Sequence, residues 1–112
     1  DDAAQASQDN LPDSNAPQYK GPSVISYSLD GRKALSLPVP AYKCQGGGDV
    51  SVQIAVNRKG YVVSAAVIES VSSSDECLVR SAVAAAKRSR FRASSSAAEK
   101  QIGEIVYRFI AQ

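Results

Sequence analysis

Between Gly48 and Ile68 apolar and polar positions alternate. Val50, Val52, Ile54 and Val56 interleave with Ser51, Gln53, Ala55 and Asn57. Period 2 with one apolar face predicts a half-buried strand. Asn57-Arg58-Lys59-Gly60 stops the pattern, and Gly60 suits a hairpin loop because it takes positive φ without a Cβ clash. A second apolar run, Tyr61 to Ile68, follows at once. It is apolar at both parities, so either a bulge switches faces or both faces are covered. The two runs predict a β-hairpin, and the rest of the chain must cover it, since an isolated hairpin is marginal in water.

Downstream the period changes. Ser72-Ser73-Ser74-Asp75-Glu76 reads as a helix start, with Ser73 or Ser74 as cap and the two acids at the positive end of the dipole. Leu78, Ala82, Ala85, Ala86 and Ser89 recur at three- and four-residue spacing, widened by Val79 and Val83. These small residues let the helix lie close to a sheet. Lys87, Arg88, Arg90 and Arg92 crowd its end. They read as dipole complement and solvated charge, with an anionic ligand as the alternative. Phe91 is expected to anchor the helix end in the core. After a Ser/Ala-rich loop over 93–100, residues 101–112 form a last strand. Ile105, Tyr107 and Phe109 share one face, and Glu104, Val106, Arg108 and Ile110 share the other.

Upstream, Val24 to Leu29 predicts a short strand, Asp30-Gly31 a turn and Lys33 to Leu37 its return. Pro38 and Pro40 bar a central strand there. Residues 1–22 are rich in Asp, Gln, Ser, Ala and Pro, with Leu11 and Tyr19 the large apolar residues, and predict a flexible linker or tail. The expected fold is therefore α+β. A three-stranded antiparallel sheet of order 2-1-3, built β-β-α-β, carries one helix on a face, with an N-terminal β-hairpin extension. Residues 23–112 form one domain, 24–37 being the extension and 38–112 the core. In this order 101–110 is an edge strand unless the extension covers it. A bare edge is a docking site or a liability.

Composition narrows the chemistry. The chain has 112 residues and a net charge of +2, which is too small to suggest nucleic acid. It contains no histidine, so the usual general base, metal ligand and pH switch are all missing. No nucleophile–base pair or carboxylate constellation stands out, and neither an enzyme, a metal site nor a cofactor is expected. The chain starts Asp-Asp and lacks methionine, as a processed or excised piece would. An upstream leader or anchor therefore stays open. Cys44 and Cys77 suit either a disulfide or two buried thiols.

Several stretches together resemble the C-terminal domain of the TonB family of energy transducers. They are Gly48 with its alternating Val50, Val52, Ile54 and Val56, then Gly60 with Val62, the helix end Arg88 to Phe91, and Ile105, Tyr107 and Phe109. Pro40-Ala41-Tyr42 matches the start of the family's Pro-x-Tyr-Pro motif, but Lys43 replaces the last proline. The cysteines also lie outside the general pattern, which indicates a divergent, Bacteroides-like branch. The resemblance covers roughly 38–112 and rests on fold positions more than on chemistry. It implies a periplasmic domain tethered to the inner membrane, whose parent protein works with inner-membrane motor proteins through a missing N-terminus. Such a domain binds the N-terminal box of outer-membrane transporters by strand addition and so supports energy-dependent uptake. Here Glu104, Val106, Arg108 and Ile110 would line the receiving edge. The alternative is a structural or regulatory envelope domain of the same fold, its edge blocked or used for a homodimer.

Overall fold

The computed structural model describes residues 21–41 and 43–111. The linker expected over 1–22 falls, for residues 1–20, outside the described residues, as do Tyr42 and Gln112. The elements are β1 (Ser23–Ser28), β2 (Ala34–Ser36), β3 (Gly48–Val56), β4 (Val62–Val67), α1 (Glu76–Lys87), β5 (Arg90–Phe91) and β6 (Gln101–Phe109). A single 3-10 turn, Glu69–Val71, lies between β4 and α1.

The main sheet is antiparallel, in the order β1-β6-β3-β4. Its β4-β3-β6 part is the expected 2-1-3 core, with one strand more on the β6 side. β3 and β6 are the longest partners, in register from Gly48↔Phe109 to Val56↔Gln101. Their inward residues Val50, Val52, Ile54, Val56, Ile105 and Tyr107 are buried. Against them α1 lays Leu78, Ala82, Ala85 and Ala86, all fully buried. Alanines on this face bring the helix close to the sheet, so the layer fills with few large side chains.

The second hairpin strand switches parity by a bulge. Ala55 pairs with Ser64 and Val56 with Val62, which leaves Val63 as the extra residue, half exposed. Gly60 closes the loop at φ 95°, and a Cβ there would overlap the Phe91 carbonyl. The helix cap differs from the expectation. Asp75 is the N-cap and accepts the Cys77 amide at 2.9 Å, while the Ser73 hydroxyl accepts from Asp75 N. A carboxylate accepts more strongly than a hydroxyl at the positive end of a helix, so the cap falls to the acid.

The N-terminal extension is not a hairpin. The chain does turn at Asp30-Gly31, with Arg32 N donating to Leu29 O. Beyond the turn, however, β1 and β2 part company: β1 joins β6, whereas β2 pairs with β5 in a separate two-stranded sheet. The nine-residue β6 offers β1 a longer ladder than the three-residue β2 could. Leu29 and Arg32, buried at the corner, hold the two strands apart. The cysteines are joined, Cys44 to Cys77, which ties the segment before β3 to the first turn of α1.

Candidate partner-binding site

The strand singled out by its sequence, β6, is flanked on both sides. Glu104 lies between Gln53 of β3 and Ser28 of β1, Val106 between Ser51 and Ser26, and Arg108 between Asp49 and Ser23. Ile110 lies just past the strand and is partly exposed. The first three occupy the face of β6 away from α1, as their alternation with Ile105 and Tyr107 requires. The structure therefore brings these side chains together on one sheet face, and β1 covers the edge they were expected to line.

β1 is a lightly seated strand. Four of its six residues, Ile25 to Ser28, are exposed. Val24 pairs with Tyr107 and Ser26 with Val106, so Ile25 is a bulged residue. The bulge puts Val24 and Tyr27 on the core side, opposite Tyr107 and Ile105. Tyr27 rests on Phe91 with ring centroids 5.9 Å apart, and its hydroxyl accepts Ala34 N at 3.2 Å. Val24 packs against the core, and the rest of the hold on β1 is main-chain ladder.

The end of β1 is fixed more firmly. Ser28 and Leu29 approach β6 at Gly103, where a Cβ would come within 2.5 Å of Ser28 O and 2.8 Å of Leu29 Cδ1. Arg32, only 6% exposed, spreads its guanidinium over loop carbonyls. Nε and Nη2 donate to Arg92 O, the first at 2.9 Å, and Nη1 reaches Gln101 Oε1 at 3.4 Å. Gln101 returns a bond from Nε2 to Asp30 O at 2.7 Å. Sequence pattern did not point to this clasp. A lone arginine after a turn carries no period, and its partners are 60 and 69 residues away.

Electrostatics at the far end of β6 centre on one pair. Arg108 donates through Nε and Nη2 to the two Asp49 carboxylate oxygens at 3.0 and 3.1 Å. The hydrogen bonds from Arg108, aided by its charge and opposed by slight desolvation, hold the Asp49 carboxyl below its ordinary range. The same bonds raise Arg108. Inside the core the Tyr107 hydroxyl is buried without a hydrogen bond of good geometry, although it lies beside Ser89. Burial, partly offset by Ser89 and the Arg88 charge, pushes its pKa up to about 12. Among the described residues no group of His, Cys, Asp and Glu could hold a metal ion.

The fold defines a small α+β domain, an antiparallel sheet with one helix on a face and β1 closing the outer side of β6. The family model described as Gram-negative bacterial TonB protein C-terminal matches residues 34–110, more than half of the chain, and the chain belongs to this family. β1 precedes the matched region. No curated protein and no solved structure matches the chain. The family is one of envelope proteins of Gram-negative bacteria, associated with transport and not with enzymatic activity. No helix among the described residues is long and apolar enough to cross a membrane.

Proposed function

We propose that this is the periplasmic, partner-binding domain of an energy transducer, and that it captures the extended N-terminal box of outer-membrane transporters on β6. In this reading residues 1–22 are a linker and 23–112 the single domain it carries. The upstream chain leads to an inner-membrane anchor and its motor proteins. The observation that carries the proposal is the seat of β1. It occupies the receiving edge through the same main-chain ladder that an incoming peptide would form, with Val24 and Tyr27 as its main side-chain holds. β1 is then a placeholder that yields to the transporter segment. Peeling would stop at Leu29 and Arg32, whose burial pins the corner. Glu104, Val106, Arg108 and Ile110 would set the register of the incoming strand, and no catalysis is required.

The Leu29–Arg32 clasp also favours a second reading, an envelope domain of structural or regulatory use whose edge stays blocked or pairs with a second copy. An NMR titration of the labelled chain with transporter N-terminal peptides separates the two. The transducer reading expects shifts along 101–110, together with release of the β1 amides. If the β6 amides stay protected and unmoved by every peptide, the blocked-edge reading stands.

A further inference from the structure

Cations outnumber carboxylates at one end of this domain. The β3–β4 loop, the β1–β2 corner and β5 with its flanks meet at one end. Phe91 N donates to Gly60 O, Arg92 N to Lys33 O and Ser94 N to Arg58 O. This end gathers Lys33, Arg58, Lys59, Arg90 and Arg92 around the buried Arg32, and among the described residues none of them forms an ion pair. Arg32 binds carbonyls and an amide, so its positive charge is left without a carboxylate. An open pocket of about 370 Å³ lies over it, lined by Lys33, Arg92 and Ser94. Two carboxylates lie at this end, Asp30 in the β1–β2 corner and Glu99 two residues before β6, whereas Asp49, Asp75 and Glu76 lie at the opposite end, at the start of β3 and α1.

Apolar residues stand among these cations. β5 is flanked on one side by β2, where Leu35 is 61% exposed, and on the other by Tyr61, 47% exposed, bridged to Arg90. The Arg90 guanidinium lies 3.8 Å from the Tyr61 ring centroid, and its buried Nε has no hydrogen-bond partner. Exposed leucine and tyrosine set among arginines and lysines match the interface of a bilayer, where rings and aliphatic chains enter the headgroup layer and cations meet phosphates. A purely charged partner would give Leu35 nothing to bury against. The chain also enters β1 and leaves β6 at the other end, where Ser23 pairs with Arg108 and Gly48 with Phe109. The basic end thus faces away from both, and contact there leaves the long edge of β1 uncovered.

We propose that this basic end docks on an anionic phospholipid surface, the guanidinium and ammonium groups meeting lipid phosphates while Leu35 and Tyr61 enter the headgroup layer. The test is flotation of the 112-residue chain with phosphatidylcholine vesicles, with and without phosphatidylglycerol, across a salt series. Binding is expected only with phosphatidylglycerol, and it should weaken as salt rises. Lys33→Gln, Lys59→Gln and Arg92→Gln remove side chains that make no side-chain hydrogen bond, so the fold should persist. At about fivefold per cation, the triple variant should partition about 100-fold more weakly. Leu35→Ser should lose about tenfold and keep the salt slope of the native chain. Transporter-peptide affinity should be unchanged in both variants, which separates this docking from peptide capture. The proposal falls if the chain ignores anionic vesicles, or if the triple variant floats as well as the native chain. Binding to soluble polyglutamate but not to vesicles would also overturn it.

Discussion

Removing the Tyr27 side chain should weaken the fold and tighten peptide binding at once. Tyr27 keeps 39% exposure, so its ring is mostly covered by Phe91 and its neighbours. A covered aromatic side chain removes 150–250 Å² from water, and the share buried here is about 100–120 Å². At 25 cal/mol per Å² that gives about 2.5–3 kcal/mol. Compaction of the unfolded chain reduces it to about 2 kcal/mol. In Tyr27→Ala most of this loss falls on the closed position of β1. If β1 must leave before a peptide can bind, apparent affinity is the intrinsic affinity scaled by the open fraction. A loss of about 2 kcal/mol raises that fraction about 30-fold while the open form is still rare, and the apparent Kd falls by the same factor. Calorimetric titration with a transporter N-terminal peptide measures the Kd, and hydrogen exchange of the β6 amides measures the opening. Faster exchange without tighter binding would refute the placeholder reasoning. Weaker binding would mean that the peptide adds outside β1 and needs it in place.

Three further predictions concern the frame. Gly60→Ala should lower stability by about 3 kcal/mol or more, read by urea unfolding, because positive φ and the overlap with the Phe91 carbonyl act together. Reducing the Cys44–Cys77 bond, or replacing both residues with serine, frees a loop of 33 residues' separation. Loop entropy then predicts a loss of about 3–4 kcal/mol, seen as a fall in Tm on the order of 15–20 °C. The raised Tyr107 pKa means that the folded state holds its phenol proton up to about pH 12, whereas the unfolded chain releases it near 10. Its contribution is therefore complete below pH 10 and is lost as pH rises through 12, by about 3 kcal/mol at most. Tyr107→Phe should be close to neutral at pH 7, since it removes a buried hydroxyl lacking a well-formed bond. It should also flatten the alkaline fall in stability between pH 10 and 12.

The sequence by itself determined the local elements. Alternation from Val50 to Val56 and from Ile105 to Phe109 fixed two strands and their inward faces, because a period of 2 leaves one choice of face once a core exists. The spacing of Leu78, Ala82, Ala85 and Ala86 fixed the helix and the stripe it buries. The turn at Gly60 fixed the hairpin, and from these three pieces the order β4-β3-β6 followed. Only the tertiary structure decided what lies on the outer side of β6. Val24 to Leu29 reads as the first arm of a hairpin because local signals see the Asp30-Gly31 turn and nothing beyond it. The competing ladder on β6 lies about 80 residues away in the chain and wins by length. The Arg32 clasp and the basic end have the same cause. Their charges are scattered over 32–92 in the sequence and meet where three loops pack together, and no periodicity reports that. The candidate site was legible as a strand and a face. Whether its edge was open depended on a contact between the two ends of the domain.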